Sequence, residues 1–258
     1  MNIGFIGAGN MGCALMKSIK GEPVGCYDIN ENAMKNAAEN YQAHIFDTAE
    51  ALCTWADLVF IAVKPQVLPY VVMPLSGVLS GKPVVSIAPG YTIEKLTEYL
   101  PESRICRVMP NTPAMVGEGM FAIAEESTVS GEETEFIKYI LSFGGRVVPV
   151  KESLIDAVVA ISGSGPAYVF MLIEALSDAG VREGLSYPIA KELAAQTVLG
   201  GARMVLETGL HPAELKNRVC SPAGTTIDAV ALLESRGFRS ALIDAAHICA
   251  EKSKHMGK

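Results

Sequence analysis

Short apolar runs alternate with longer polar segments through the first 150 residues. The run from Leu58 to Val63 contains no polar position, which is typical of a strand buried on both faces of a parallel sheet. The predicted strands are residues 2–6, 24–27, 44–46, 58–63, 83–87, 104–109, 119–124 and 145–150. The predicted helices between them include 31–40, one capped by Asp47 or Thr48, one begun by Pro65, one capped by Thr92, and 132–142.

After about Lys151 every ordered segment is predicted to be helical. The segment from Ala167 to Val181 carries apolar residues on more than one face, as a helix buried on several sides does. A domain of about a hundred residues has little interior for such a helix, so we expect partner subunits to cover part of it. The other predicted helices are 155–161, 186–206, one begun by Pro212, 223–234 and 237–254.

A glycine-rich turn follows the first predicted strand. Gly7, Gly9 and Gly12 have the GxGxxG spacing, and a helical pattern with Met11 and Leu15 on one face comes next. In a dinucleotide-binding βαβ unit these glycines allow a tight turn, close approach of a pyrophosphate and helix–strand packing. The alternative is a cluster of turn glycines in another α/β protein, and the flanking elements argue against it. The predicted cofactor-binding residues here are Ile6, Gly7, Ala8, Gly9, Asn10, Met11 and Gly12.

These patterns predict an α/β protein with two domains. Residues 1–160 are expected to form a Rossmann-type dinucleotide-binding domain. Residues 161–258 are expected to form an all-helical domain. A chain of 258 residues is long enough for both.

Asp28 ends the second predicted strand, about twenty residues after the glycine turn, where the dinucleotide fold places an acidic residue. A carboxylate here accepts hydrogen bonds from a ribose 2′-hydroxyl and repels a 2′-phosphate. No arginine follows closely, and the nearby polar residues are Asn30, Asn32 and Lys35. On this ground alone NADH is favoured over NADPH.

Further loops follow strands of the same sheet and are expected at the same edge, where ligands of open α/β sheets bind. One of these loops is Asn111–Thr112–Pro113. Lys64 is either a cofactor ligand or a solvated lysine at a strand end, and the sequence leaves both interpretations open. The residues of these loops predicted to bind cofactor are Ala62, Val63, Lys64, Pro65, Ala88 and Gly90.

Charge and composition argue against several classes of partner. The net charge is −7 without a basic block, which disfavours nucleic acid and anionic membranes. No apolar run reaches the ~18 residues of a spanning helix, and no signal peptide is recognisable, so a cytoplasmic protein is expected. The six cysteines include no CxxC pair and the four histidines lack metal-ligand spacing, so we expect reduced thiols and no metal site.

One loop of the second half combines polar donors with a following helix. It runs from Val219 to Thr226, and its backbone N–H groups can hold a carboxylate. Thr225 and Thr226 add two hydroxyl groups. From these residues alone, an ordinary helix cap with a Ser-Pro turn is the simpler interpretation.

Several motifs, taken together and in order, resemble those of pyrroline-5-carboxylate reductase, the last enzyme of proline biosynthesis. They are Ala62–Pro65, Met109–Pro113, Ser162–Tyr168, Ser221–Thr226 and Gly237–Arg239. The resemblance extends along the whole sequence. It implies a Rossmann domain followed by a helical domain that interlocks two subunits, and homodimers that commonly build a decamer.

The resemblance also implies a reaction and a substrate site. The reaction is the NADPH- or NADH-dependent reduction of 1-pyrroline-5-carboxylate to L-proline. The substrate carboxylate would lie on N–H groups near Gly224 and Thr225, beside the nicotinamide, and the catalytic residue Thr226 would direct its hydroxyl toward the ring nitrogen. The implied substrate-binding residues are Val219, Ser221, Ala223, Gly224, Thr225 and Thr226.

Two residues depart from the pattern of the family. Ala223 stands where the family usually has a second glycine, which bears on the dihedral angles of the loop. Asp28 stands where many members have a small or polar residue that tolerates NADPH.

Three alternatives concern the mechanism and the class of protein. Glu174 is an alternative proton source, although a hydrogen-bonded structural carboxylate is the more usual role of a buried acid. A β-hydroxyacid dehydrogenase would need a basic lysine on the interdomain helix, and residues 167–179 contain no lysine. A nicotinamide-sensing or scaffold protein on the same fold is the alternative that is not an enzyme.

Overall fold

The computed structural model describes residues 1–256, which divide into two compact units. The first unit comprises Met1–Ser164 together with the chain from Ile248 onward, and the second comprises Gly165–His247. The division thus falls after Ser164, compared with the expected boundary at residue 160. The C-terminal end of the chain joins the first unit instead of the helical one.

One sheet forms the centre of the first unit. Its strands are β1 Ile3–Ile6, β2 Val24–Tyr27, β3 His44–Ile45, β4 Leu58–Ile61, β5 Pro83–Ser86, β6 Arg104–Met109, β7 Gly119–Ala124 and β8 Gly145–Val150. They are ordered β3-β2-β1-β4-β5-β6-β7-β8. Strands β1 to β6 run parallel to one another, whereas β7 is antiparallel to β6 and parallel to β8. The order reverses between β1 and β4, and ligands of such sheets bind outside the carboxyl ends of the strands at that point.

Seven α-helices lie in the described part of the first unit before Ser164. They are α1 Asn10–Ser18, α2 Glu31–Tyr41, α3 Ala49–Trp55, α4 Leu68–Val72, α5 Ile93–Tyr99, α6 Gly131–Ser142 and α7 Ile155–Val158. The remaining helices are α8 Gly165–Arg182, α9 Tyr187–Thr208, α10 Pro212–Val219, α11 Thr225–Ser235 and α12 Phe238–Ser253. The last of these begins in the second unit and ends in the first.

Strands β1 and β4 are buried on both faces of the sheet, as the continuous apolar run predicted for β4. The rings of Phe5 and Phe60, on adjacent strands, stack with centroids 4.7 Å apart on one face. Ile6 and Ile61 turn to the opposite face and pack in a separate cluster. Burying each side chain of this size contributes roughly 1.5–3 kcal/mol to the free energy of unfolding. A one-residue slip would move each side chain to the opposite face, so packing on both faces fixes the register of the strands.

Polar side chains define where the helices begin. Thr48 accepts a hydrogen bond from the N–H of Ala51 and starts α3, which decides between the two predicted caps. Thr92 caps α5, as predicted. Ser130 and Glu133 form a reciprocal capping box at α6, which therefore begins one residue before the predicted start at residue 132.

Two predicted helical segments differ in the structure. Residues 155–161 are not one regular helix, because a π-helical turn at Val159–Gly163 follows α7. The helix predicted from residue 223 begins at Thr225 instead. Ala223 has a φ of +55° and therefore cannot belong to a right-handed helix.

The long apolar helix is largely uncovered within its own chain. Phe170 and Met171 of α8 are 62% and 68% exposed. The expectation that no apolar segment reaches the length of a spanning helix is wrong, because the stretch Glu152–Arg182 is long and apolar enough to cross a membrane by length and composition. A single such helix is weak support for a membrane span, because a helix that packs on a partner subunit has the same composition.

Candidate active site

The glycine turn between β1 and α1 requires glycine at two positions. Gly7 has a φ of +106°, and a Cβ there would lie 2.6 Å from the carbonyl oxygen of Ala62. A Cβ on Gly12 would lie 2.2 Å from the carbonyl oxygen of Gly7. Any side chain at either position would push the turn away from β4 or from α1.

The N-terminus of α1 forms an open cradle. Gly9 is its N-cap residue, and within residues 1–256 no side chain makes a capping hydrogen bond there. A Cβ on Gly9 would meet no described atom within 4 Å. The first turn of α1 also carries no acidic residue. The free helix N–H groups and the positive end of the helix dipole therefore face space that fits a pyrophosphate.

Asp28 fixes the turn from the end of β2. Its Oδ2 accepts a hydrogen bond from the N–H of Ala8 at 2.7 Å. Its Oδ1 accepts one from the N–H of Asn30 at 2.9 Å. The half-buried carboxylate thus joins the glycine turn to the turn that precedes α2.

The other predicted cofactor segments lie after β4 and β5. The N–H of Ala62 donates to the carbonyl oxygen of Ile6 at 2.8 Å, which joins this segment to the glycine turn. Lys64 is exposed, and Pro65 begins a 3-10 turn. Ala88 is buried after β5, and Gly90 follows with a φ of +81°. The structure therefore brings the glycine turn, Asp28 and the Ala62–Pro65 segment into direct contact.

A polar cavity of about 400 Å³ lies beside Gly90. Arg107, Glu152 and Asp156 contribute charged groups of both signs to its wall. The described lining includes no residue of the glycine turn. This cavity is therefore separate from the open cradle at the N-terminus of α1, although Gly90 was predicted to bind cofactor.

The loop predicted to bind substrate lies in the second unit, between α10 and α11. The N–H of Gly224 donates to the carbonyl oxygen of Ser221 at 3.1 Å, which closes a tight turn. A Cβ on Gly224 would lie 2.3 Å from Ser221 Oγ, so any other residue here would displace the Ser221 side chain. Ala223 adopts the left-handed conformation that favours glycine.

Helix α11 begins without a side-chain cap. Gly224 is its N-cap residue, and no described side chain makes a capping hydrogen bond at this end. Thr225 is exposed and Thr226 is half-buried in the first turn. An N-terminus with free N–H groups and two hydroxyls has the chemistry to bind a carboxylate. Val219, at the end of α10, adds an apolar side chain that is 66% exposed.

Glu174 lies exposed on α8 within its own chain. Glu174 was expected to be a buried acid because it belongs to an apolar helix. Within its own chain it is not buried.

Sequence reasoning did not identify the role of Asn111. Its Nδ2 donates to the carbonyl oxygen and to Oγ of Ser162, both at 3.2 Å. Its Oδ1 accepts from the N–H of Met120 at 2.8 Å. Asn111 thus holds the π-helical turn that contains Ser162, and such turns are frequent at functional sites. Both residues belong to motifs that carried the family resemblance, but nothing in the sequence joins them.

The buried thiols are unreactive in character. Burial raises the pKa of Cys26 and Cys106 to about 11 and that of Cys53 to about 12. These cysteines remain protonated at neutral pH and act as small apolar side chains. Among residues 1–256, no group of three or more His, Cys, Asp or Glu side chains is arranged to hold a metal ion.

Family comparisons cover both halves of the chain. Residues 2–90 match the family described as NADP oxidoreductase, coenzyme F420-dependent. Residues 152–256 match the pyrroline-5-carboxylate reductase dimerisation family. The sequence between these two matches contains β6, β7 and the Asn111 loop.

Several relatives that align along the whole chain are named pyrroline-5-carboxylate reductase. Pyrroline-5-carboxylate reductase of Synechocystis is 41% identical and aligns with 100% of this chain and 99% of its own length. The Escherichia coli enzyme of the same name is also 41% identical and aligns with 99% of this chain and 98% of its own length. The structure of Plasmodium falciparum pyrroline carboxylate reductase with NADP bound superimposes with a TM-score of 0.91 at 35% identity, over 100% of this chain and 98% of that one.

Proposed function

We infer the function from a premise that the similarity establishes: the chain belongs to the pyrroline-5-carboxylate reductase family. It is an NAD(P)H-dependent oxidoreductase that reduces 1-pyrroline-5-carboxylate to L-proline, the final step of proline biosynthesis. The observation that carries this conclusion is the extent of the similarity. It spans the unit with the glycine turn and the unit with the 219–226 loop.

We propose that the glycine turn and the N-terminus of α1 bind the cofactor pyrophosphate. The steric requirement for glycine at Gly7 and Gly12 and the open space at Gly9 support this role. Asp28 would bind the adenosine ribose, and the segments Ala62–Pro65 and Ala88–Gly90 would line the same edge of the sheet. The nicotinamide supplies the hydride.

The loop from Val219 to Thr226 is the proposed substrate site. Its tight turn leaves the N-terminal N–H groups of α11 without a side-chain cap among the described residues, which suits the substrate carboxylate. Val219 would contact the apolar edge of the pyrroline ring. Ser221 and Thr225 would add hydroxyl groups around the carboxylate.

Thr226 is the proposed catalytic residue because its hydroxyl lies in the first turn of a helix whose N-terminus has no side-chain cap among the described residues. It would hydrogen-bond the ring nitrogen and so orient the imine for attack at its carbon. A protonated cyclic imine is already electrophilic, so the protein has to hold the reacting carbons at near-attack distance and needs no strong acid–base pair. A site made of backbone amides and hydroxyls is sufficient for that task.

We also propose that the dimers assemble into a decamer in the cytoplasm. The dimerisation-family match and the uncovered apolar face of α8 support association through the helical unit. A molar mass of ten chains by light scattering would support the decamer, and a mass of two chains would contradict it.

Isotope transfer tests the proposed reaction. The enzyme is supplied with 1-pyrroline-5-carboxylate and with cofactor that carries two deuterium atoms at nicotinamide C4. Proline with one deuterium at carbon 5 is expected, because the hydride moves directly from C4 to the imine carbon. Proline without deuterium, or no proline, would contradict hydride transfer.

A further inference from the structure

The carboxylate of Asp28 carries an inference about the choice of cofactor, which rests on the proposed cofactor site. We propose that Asp28 makes this enzyme select NADH over NADPH. The two cofactors differ only at the adenosine ribose, where NADH has a 2′-hydroxyl and NADPH has a 2′-phosphate.

Hydrogen bonds hold the Asp28 side chain in place and leave it able to accept more. A carboxylate offers about four lone-pair positions on its two oxygens. Ala8 occupies one position on Oδ2, and Asn30 occupies one on Oδ1. One position on each oxygen therefore remains for ribose hydroxyls, which are donors. At pH 7 the 2′-phosphate of most NADPH molecules carries no proton and therefore cannot donate a hydrogen bond to the carboxylate. Its charge is about −1.5 to −2.

The chain segments next to Asp28 in the sequence offer little positive charge to compensate for that repulsion. The first arginine in the sequence is Arg104, so the first five strands and their loops contain no guanidinium to bind a phosphate. Lys35 is the nearest lysine along the chain after Asp28, and its Nζ lies 4.0 Å from the Glu31 carboxylate. Its side chain is 64% exposed, and this neighbour offsets its charge. The three charged side chains of this segment, Asp28, Glu31 and Lys35, therefore have a net charge of −1.

The side-chain oxygen of Asn30 is occupied by the start of α2. Its Oδ1 accepts hydrogen bonds from the N–H groups of Asn32 and Ala33, which fixes it as the cap of α2. Capping in this way occupies N–H groups at the start of α2. A 2′-phosphate would otherwise use such groups as donors.

Equilibrium binding of both cofactors to the intact oligomer, without substrate, tests this inference. Calorimetry or nicotinamide fluorescence gives the Kd of NADH and of NADPH at low and at high salt. We expect the Kd of NADPH to exceed that of NADH by about tenfold or more at low salt, because like charges a few ångströms apart repel. High salt is expected to narrow the ratio, since screening weakens repulsion between exposed charges.

The variant Asp28→Asn separates charge from the structural role of the side chain. Losing one of its backbone hydrogen bonds loosens the glycine turn and weakens both cofactors alike, because they share the pyrophosphate. Losing the charge removes the repulsion of the NADPH phosphate and also weakens the hydrogen bonds from the NADH ribose hydroxyls, and both effects lower the ratio of the NADPH Kd to the NADH Kd. We therefore expect the NADPH/NADH ratio of Kd values to fall by about tenfold in this variant, whatever happens to the absolute affinities.

Glu39→Gln is the matched control, because it removes one negative charge from the exposed surface of the same helix α2. It should leave the ratio unchanged. A wild-type preference for NADPH, or an unchanged ratio in Asp28→Asn, would overturn the inference while the reductase assignment stands. Failure of both cofactors to bind the wild-type protein would instead overturn the cofactor site itself.

Discussion

Arg107 of β6 donates a hydrogen bond from Nη1 to Glu152 Oε1 at 2.9 Å, and the arginine side chain is only 4% exposed. The same carboxylate oxygen accepts the N–H of Ile93, the first residue of α5, at 2.7 Å. The backbone N–H of Glu152 donates to Glu126 Oε2. One glutamate thus joins the middle of the sheet, the start of a helix and the segment that follows β8.

Removing that glutamate should destabilise the protein strongly. In Glu152→Ala the Arg107 guanidinium remains buried without its charged partner, which costs about 3–5 kcal/mol. Denaturant unfolding measures this loss. Glu125→Ala, at a neighbouring exposed position, should change stability little. A double variant with Arg107→Met should recover part of the loss, and no recovery would show that the charge pairing is not the cause.

Ala223 should be a position where glycine stabilises. A left-handed backbone costs a residue with a Cβ roughly 1–2 kcal/mol, and glycine loses about 0.4–1 kcal/mol through the entropy of the unfolded chain. Ala223→Gly is therefore expected to raise the free energy of unfolding by up to about 1 kcal/mol. The same substitution at Ala229, inside α11, should lower it by about 1 kcal/mol. Equal effects at the two sites would contradict the strained conformation.

Thr226 should act on turnover and not on cofactor binding. Thr226→Val keeps the shape and removes the hydroxyl, and we expect kcat to fall by about tenfold to a hundredfold, the equivalent of one hydrogen bond to a charged group. Thr226→Ser should restore most of the rate. The Kd for NADH should be the same in all three proteins. An unchanged kcat in Thr226→Val would remove Thr226 from the mechanism.

The pair formed by Arg104 and Glu133 should make stability depend on pH. The hydrogen bond from Arg104 Nε, at 2.9 Å, holds the pKa of the Glu133 carboxyl below its ordinary value of 4.5. A lowered folded-state pKa means that this stabilisation is complete at neutral pH and is lost as the pH falls below 4.5 through the lowered pKa. Glu133→Gln should therefore lower Tm most at neutral pH, with a difference that shrinks in acid. A constant difference across this range would contradict the coupling.

The sequence predicts most of the nucleotide-binding unit because local signals and burial agree there. The strands from Arg104 to Met109, Gly119 to Ala124 and Gly145 to Val150 begin and end where the apolar pattern places them. The start of α11 was predicted two residues early, since a residue with a Cβ at φ of +55° gives no local signal of its own.

Long-range polar contacts were beyond the reach of sequence patterns. The hydrogen bond between Asn111 and Ser162 joins residues separated by 51 positions, and the pair formed by Arg107 and Glu152 spans 45. Neither spacing has a periodicity that would indicate contact. The hydrogen bond from Ala8 to Asp28 was also unforeseen, although both residues were predicted to bind cofactor.

The assignment as a pyrroline-5-carboxylate reductase is tested most directly by steady-state kinetics with 1-pyrroline-5-carboxylate. Oxidation of NADH and of NADPH is followed in separate assays, and proline is quantified in each. We expect one proline for each cofactor oxidised, with the higher kcat/KM for NADH. Tight binding of cofactor without any proline from either assay would contradict the account and would indicate a nicotinamide-binding protein that is not a reductase.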